Sequence, residues 1–276
     1  NAMPEPIHAK LMDLFRKYLL VGGLPDAVNE FLATKNITKV RKIQENIHHL
    51  YGVDASRYED SHGRLKIQRI YEMVPSNLEN KKKRVVAKDI ENKVGKRMSD
   101  YAEEFDYLIS SGITLEVKAI SKPSFPLIEN SGKNLLKLYM NDVGLLTNIF
   151  FGTNIKAIME DIPSINLGSV YETVVAQELK AHGFQLYYYD NKKNGEVDYL
   201  IDDMANLSVL PIEIKSGKDY KVHSALDNFL SIKEYNIHEA YVMSNAQKVE
   251  VKDGITYLPI YYIMCLKPQD QQVILE

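Results

Sequence analysis

The sequence predicts a mixed α/β protein in two parts, a mainly helical part over residues 3–130 and a sheet-containing part over residues 131–276. Helical patterns separated by turn residues fill the first part. The last third reads helix, three strands, helix, strand, which indicates a mixed sheet with helices packed on it. The length of 276 residues fits one large domain or two modest ones, and 45% hydrophobic residues suit a folded globular chain.

The first part contains several short helices. Residues 9–20 have a helical pattern, and the sequence VGGLPDAV, residues 21–28, forms a turn into a second helix. Another helical stretch lies within residues 36–58. A short basic helix follows at 65–73, and the sequence VPSN, residues 74–77, is expected to end it because proline interrupts helices.

The order of the next elements resembles a winged helix-turn-helix. Residues 99–110 form a helical pattern with Ser99 as the candidate N-cap, and Gly112 is expected to stop the helix. Residues 113–120 then alternate as a strand does. Winged helices place a helix toward the DNA major groove, and many have become protein-interaction modules. The sequence does not distinguish DNA binding from protein binding for this part.

Positive charge is concentrated between residues 62 and 100. This window holds eleven Lys/Arg and five Asp/Glu, a balance of +6, so the remainder of the chain carries −9. Such clustering is typical of contact with nucleic acid or another acidic partner, although a solvated helix surface explains it equally well. The residues predicted to contact phosphates are Lys81, Lys82, Lys83, Arg84, Lys96 and Arg97.

A nucleotide-binding P-loop is excluded by the sequence. The stretch LKLYMND resembles a Walker B strand that ends in Asp142, but the pattern GxxxxGK[ST] is absent. Asp142 is therefore predicted to be an N-terminal helix residue that the helix dipole favours.

Composition also limits the compartment. The one cysteine, Cys265, excludes an intrachain disulfide or a cysteine-based zinc site and agrees with a cytoplasmic location. No apolar run approaches the roughly 18 residues that span a bilayer, and no signal peptide is visible. Asn1 and Ala2 before Met3 look like the remnant of a cleaved tag, so we expect a piece of a longer protein.

Three acids and a lysine are predicted to converge in the second part. Side chains two apart on a strand share a face, so Glu213 and Lys215 point the same way. Asp198 lies in the preceding strand. On the helix over residues 168–183, Glu172 shares an apolar stripe and is expected to point at the sheet. A further amphipathic helix is predicted over 221–235, with Val222 on its apolar face.

Buried acids that lie together need a shared cation, and Mg²⁺ prefers carboxylate and carbonyl oxygens. Asp198, Glu213 and the carbonyl of Ile214 are the predicted ligands, with Glu172 close by. Lys215 would stabilise the transition state of phosphodiester hydrolysis. A structural ion pair between Glu213 and Lys215 is the alternative.

These residues resemble the PD-(D/E)XK nuclease motif, in which an acid ends one strand and acid-x-Lys ends the next. The blocks FRKYLLVGGLPDAV, LYMNDVGLL, YETVVAQEL, GEVDYLI and PIEIKSGK also resemble, in order, the DUF4143 region of prokaryotic AAA+-type ATPases. This resemblance extends from about Phe15 to Lys248. It implies a restriction-endonuclease-like domain and an ATPase domain that precedes Met3.

Two functions are therefore expected. The first is a nuclease-like module that uses Mg²⁺, or Mn²⁺ in its place, acts on nucleic acid such as DNA, and belongs to an ATPase. The second is a catalytically inactive module that binds nucleic acid or protein and regulates the ATPase.

Overall fold

The computed structural model describes residues 3–54, 61–80, 83–130, 135–160, 162, 164–217 and 219–268. Two compact units make up the chain, and neither is continuous in sequence. The helical unit comprises Glu5–Val117 and Asn134–Gln177. The sheet unit comprises Asn1–Pro4, Lys118–Lys133 and Glu178–Glu276.

Ten α-helices occur within the described residues. In chain order they are α1 Glu5–Val21, α2 Pro25–Thr34, α3 Ile37–Asp54, α4 Ser61–Glu79, α5 Ala87–Glu91, α6 Ala102–Ser110, α7 Val143–Phe151, α8 Lys156–Met159, α9 Gly168–Ala181 and α10 Ser224–Leu230. Within the described part of the chain, none has the length and apolar character needed to cross a lipid bilayer.

Eight strands are found in the same residues. They are β1 Thr114–Ile120, β2 Leu136–Met140, β3 Tyr187–Asn191, β4 Gly195–Asp203, β5 Ser208–Lys215, β6 Ala240–Ser244, β7 Glu250–Lys252 and β8 Ile255–Pro259. Their order in the sheet is β2-β1-β3-β4-β5-β6-β8-β7. The predicted mixed α/β class is thereby confirmed, as is the order of α9, three strands, α10 and β6.

The centre of the sheet unit is β5. It pairs antiparallel with β4 and parallel with β6, so it has a neighbouring strand on each side. Seven of its eight residues are buried, which explains its nearly continuous apolar sequence. Tyr189, Leu200, Leu226, Phe229 and Val242 belong to the core of this unit.

Helix α4 differs from its prediction. It does not stop at the sequence VPSN but continues through Pro75 to Glu79. Val74 and Leu78, on either side of the proline, are fully buried. The apolar surface that they bury compensates for the backbone hydrogen bond that proline removes.

Two other helix predictions were wrong in detail. Ser99 does not cap α6, because a 3-10 turn over Met98–Tyr101 precedes that helix and α6 begins at Ala102. Val222 lies before the first residue of α10 and is 69% exposed, so it is not part of an apolar helix face. The domain boundary at residues 130/131 and the winged-helix assignment stay predictions.

Candidate active site

The predicted acids of β4 and β5 come together at one end of the sheet unit. The two strands are antiparallel, with Tyr199 opposite Ile212. One residue further toward this end, the same register sets Asp198 opposite Glu213. Residues that lie opposite one another in an antiparallel pair share a face, so the two carboxylates stand on the same side of the sheet.

Asp198 is oriented by the backbone of the neighbouring strand. Its Oδ2 atom accepts a hydrogen bond of 2.8 Å from the backbone N–H of Ile214. The N–H and C=O groups of one strand residue point to the same neighbour, so the carbonyl of Ile214 is also directed toward β4. Asp198 and that carbonyl therefore present oxygen atoms to the same region.

Lys215 and Glu213 form an ion pair along β5. The lysine Nζ donates to Glu213 Oε1 at 2.8 Å, and the side chains are 28% and 8% exposed. The alternation of the strand predicted that both side chains share a face. Breaking such a pair would leave the carboxylate of Glu213 charged in a poorly hydrated position.

Glu172 lies on α9, in the helical unit, and is 4% exposed. It accepts a hydrogen bond from Lys83 Nζ, and its Oε2 atom accepts another of 2.9 Å from the hydroxyl of Tyr139. The Glu172 side chain is therefore buried inside its unit rather than directed to solvent, as expected. Its membership of the site with Asp198 and Glu213 stays a prediction.

The donor set of the strand end suits a hard cation. Two carboxylates and a backbone carbonyl supply oxygen alone, which fits Mg²⁺. Among the residues that the structure describes, no group of three or more His, Cys, Asp or Glu side chains is arranged to hold a metal. A cation held by Asp198 and Glu213 would therefore take its remaining ligands from the backbone and from water.

Comparison with known proteins gives matches to two protein families. The model described as "Domain of unknown function (DUF8612)" matches residues 12–156, which is more than half of the chain. The chain belongs to the DUF8612 family. A second model, "Domain of unknown function (DUF4143)", matches residues 167–263. No curated protein and no solved structure matches the chain.

The DUF4143 match is shorter than the resemblance predicted. It begins at residue 167 rather than near Phe15, and the preceding region belongs to the DUF8612 match. All the residues predicted for catalysis and metal binding lie inside the DUF4143 match, namely Glu172, Asp198, Glu213, Ile214 and Lys215.

The predicted phosphate contacts lie inside the DUF8612 match. Lys81 and Lys82 fall outside the described residues. Lys83 is the ion-pair partner of Glu172, with 19% of its side chain exposed. Lys96 Nζ lies 5.9 Å from the ring centre of Tyr101. Arg84 is half-buried and Arg97 is exposed. The role of these residues in binding nucleic acid stays a prediction.

Asp142 has the helix-terminal position that the sequence predicted. It is the N-cap of α7, and its Oδ1 accepts from the backbone N–H of Leu145 at 3.1 Å. Its Oδ2 accepts a bond of 2.7 Å from the backbone N–H of Gly23. Burial raises the pKa of Asp142, and these backbone hydrogen bonds oppose that rise.

Sequence reasoning missed a buried arginine in the same unit. Arg41 Nη1 donates to the carbonyl oxygens of Leu20 and Gly144 and to Thr147 Oγ1. Burial lowers the pKa of Arg41 to about 10. Its partners lie 21, 103 and 106 residues away in the chain, so local sequence patterns do not indicate this burial.

A cleft in the sheet unit lies at the other end of β4. It has a volume of about 290 Å³ and includes Asp202, Asp203, Glu239 and Tyr241 in its lining. Burial raises the pKa of Asp202, which accepts a hydrogen bond of 3.0 Å from the backbone N–H of Leu127. Asp198 and Glu213 do not line this cleft, so the acid pair is separate from it.

Proposed function

We propose that the sheet unit is a Mg²⁺-dependent phosphodiesterase module that acts on nucleic acid. The observation that carries this proposal is the arrangement at the strand end. Asp198 accepts from the Ile214 backbone at 2.8 Å, while Lys215 donates to Glu213 at 2.8 Å, so two acids, a carbonyl and a lysine converge there. This is the set of groups that metal-assisted hydrolysis of a phosphodiester requires.

Each residue has a separate task in this proposal. Asp198, Glu213 and the carbonyl of Ile214 would hold the cation, which would supply a more acidic water as the nucleophile. The hydrogen bond from the Ile214 N–H fixes the direction of Asp198. Lys215 supplies positive charge on the same face, where charge develops on the phosphate oxygens in the transition state. Glu172 remains a predicted participant.

A second candidate is a catalytically inactive module that binds nucleic acid or protein. It is favoured by the contacts that the acids already make. Glu213 has an ammonium partner and Asp198 has a backbone donor, so both carboxylates are stabilised by the protein itself. In either case, we propose that the module acts with an AAA+-type ATPase domain, on the basis of the DUF4143 resemblance.

Thermal unfolding in increasing Mg²⁺ or Mn²⁺ tests the metal site. A ligand that binds the folded state raises the melting temperature, and Asp198→Asn should abolish the rise. The matched control is Asp203→Asn, the same change at the other end of β4. Asp203 accepts from the backbone N–H groups of Ala205 and Asn206, and an asparagine can keep these contacts.

Cleavage assays then separate the two candidates. Single-stranded, double-stranded and branched DNA and RNA should be offered with each metal. Cleavage by the wild type and by Asp203→Asn, with none by Asp198→Asn, supports the phosphodiesterase. A metal response that Asp198→Asn retains refutes the metal site. Absence of cleavage of every substrate leaves the inactive binding module as the better account.

A further inference from the structure

Lysine is the main charged residue in three loops at one end of the sheet unit. The β3–β4, β5–α10 and β6–β7 connections all lie at the end where Asp198 and Glu213 stand. Their described lysines are Lys192, Lys193, Lys221 and Lys248, against one described acid, Asp219. We call this the lysine end. The opposite end has Asp202, Asp203, Glu239 and Asp253 together with Lys252 and Lys267.

Lys192 and Lys193 have the most favourable position at the lysine end. They form the tip of the β3–β4 turn, and both are exposed. Lys221 is also exposed, but its Nζ lies 2.9 Å from Glu250, which offsets its charge. The turn therefore presents two adjacent positive charges beside a site that is itself negative.

The backbone of this turn is held by several contacts. Asn191 Oδ1 accepts from the backbone N–H of Lys193 at 2.9 Å, and Asn194 Nδ2 donates to the Tyr189 hydroxyl at 3.2 Å. Gly195 has φ +95°, and a Cβ there would lie 2.9 Å from the Cβ of Ala225 on α10. The two lysines are thus mounted on an ordered turn that packs against a helix.

The spacing suits an extended polyanion. Gly195 pairs with Asn191 at the turn, and Asp198 lies three residues along the same strand. At about 3.3 Å per strand residue, the turn is roughly 10 Å from the acid pair. The phosphates of one strand recur about every 3.4 Å along the axis of a DNA duplex, so this separation, taken along the axis, corresponds to roughly three nucleotides.

We propose that Lys192 and Lys193 bind DNA backbone phosphates a few nucleotides from the phosphate that faces Asp198 and Glu213. This inference rests on the proposed function, because it assumes that a nucleic acid occupies the acid site. It deepens that function by assigning the contacts that offset repulsion between two carboxylates and a polyanion. It also adds contacts in the sheet unit to those predicted over Lys81 to Arg97.

The test is binding of a short fluorescent DNA duplex as a function of salt, with EDTA present so that metal chemistry plays no part. The variant is Lys192→Glu/Lys193→Glu. The matched control is Lys252→Glu/Lys267→Glu, which makes the same charge change at exposed positions toward the opposite end of the sheet. Melting temperatures of both variants should stay near that of the wild type, because all four side chains are exposed.

Lys192→Glu/Lys193→Glu should lose at least about tenfold in affinity at low salt. Its slope of log affinity against log salt should become shallower by the amount that corresponds to about two lost phosphate contacts. The control should stay within about twofold of the wild type. The inference would be overturned if both double variants lost the same affinity, or if Lys192→Glu/Lys193→Glu lost none. Undetectable binding by the wild type at low salt would also overturn it.

The proposed function is judged separately from these measurements. The rise in melting temperature with Mg²⁺ uses no nucleic acid and depends on Asp198, so it can succeed when the lysine assignment fails. Conversely, loss of affinity confined to Lys192→Glu/Lys193→Glu supports the phosphate contacts even if no substrate is cleaved, in which case the catalytic part of the proposed function fails.

Discussion

Replacing Lys83 by methionine should destabilise the helical unit strongly. Lys83 and Glu172 pair with 19% and 6% of their side chains exposed. Removing one partner from a fully buried pair costs about 3–5 kcal/mol, whereas exposed pairs contribute about 0–1 kcal/mol. The Tyr139 hydroxyl still donates to Glu172 at 2.9 Å, and Lys83 retains some solvent. We therefore expect a loss of about 2–3 kcal/mol.

The control is Lys17→Met, which breaks an exposed ion pair. Lys17 Nζ lies 2.6 Å from Asp13, and the side chains are 43% and 45% exposed. This substitution should cost less than about 1 kcal/mol. At about 2–4 °C per kcal/mol for domains of this size, thermal unfolding should show a fall of roughly 4–12 °C for Lys83→Met and only a few degrees for Lys17→Met.

A second variant identifies the cause. Adding Glu172→Gln to Lys83→Met removes the uncompensated charge and keeps an acceptor for Tyr139, so it should recover part of the lost stability. If Lys83→Met loses no more stability than Lys17→Met does, the buried-pair account is refuted. DNA binding tests a different role of Lys83. If the slope of log affinity against log salt becomes shallower in Lys83→Met by the amount of about one phosphate contact, the predicted phosphate contact is supported instead.

Three other outcomes are expected. Gly22→Ala should lower the free energy of unfolding by at least about 2 kcal/mol more than Gly112→Ala does. Both glycines have similar positive φ values, +73° and +72°. A Cβ at Gly22 would lie 2.1 Å from Asp142 Oδ1, whereas a Cβ at Gly112 meets open space. Burial lowers the pKa of His48 below 6.5, so the unfolded state binds the proton more strongly and stability falls as pH drops below 6.5. Melting curves of His48→Gln should show a weaker fall. Lys215→Ala should reduce cleavage by about a hundredfold or more while the Mg²⁺-dependent rise in melting temperature persists, and unchanged cleavage would remove its assigned role.

Much of the sheet unit was predictable because its signals are local. The three strands predicted to follow the helix over residues 168–183 are found as β3, β4 and β5. The alternation of β5 correctly put Glu213 and Lys215 on one face, and an ion pair of 2.8 Å joins them there. Asp142 was likewise identified as a helix-terminal residue from its immediate sequence.

Other predictions failed where long-range packing outweighed local preference. Pro75 was expected to end a helix, yet burial of Val74 and Leu78 carries α4 past it. Val222 has the right spacing for an apolar helix face, but the helix begins two residues later and leaves it exposed. Propensity is a weak signal when tertiary burial supplies more free energy than the local preference.

The sequence by itself determined the mixed α/β class, the order of α9 to β6 and the shared face of Glu213 and Lys215, because hydrophobic periodicity acts over a few residues. Only the tertiary structure decided which distant groups meet. It joined Lys83 to Glu172, 89 residues apart, and Arg41 to Gly144, 103 residues apart. Such contacts depend on how segments far apart in the chain pack together, which local sequence patterns do not specify.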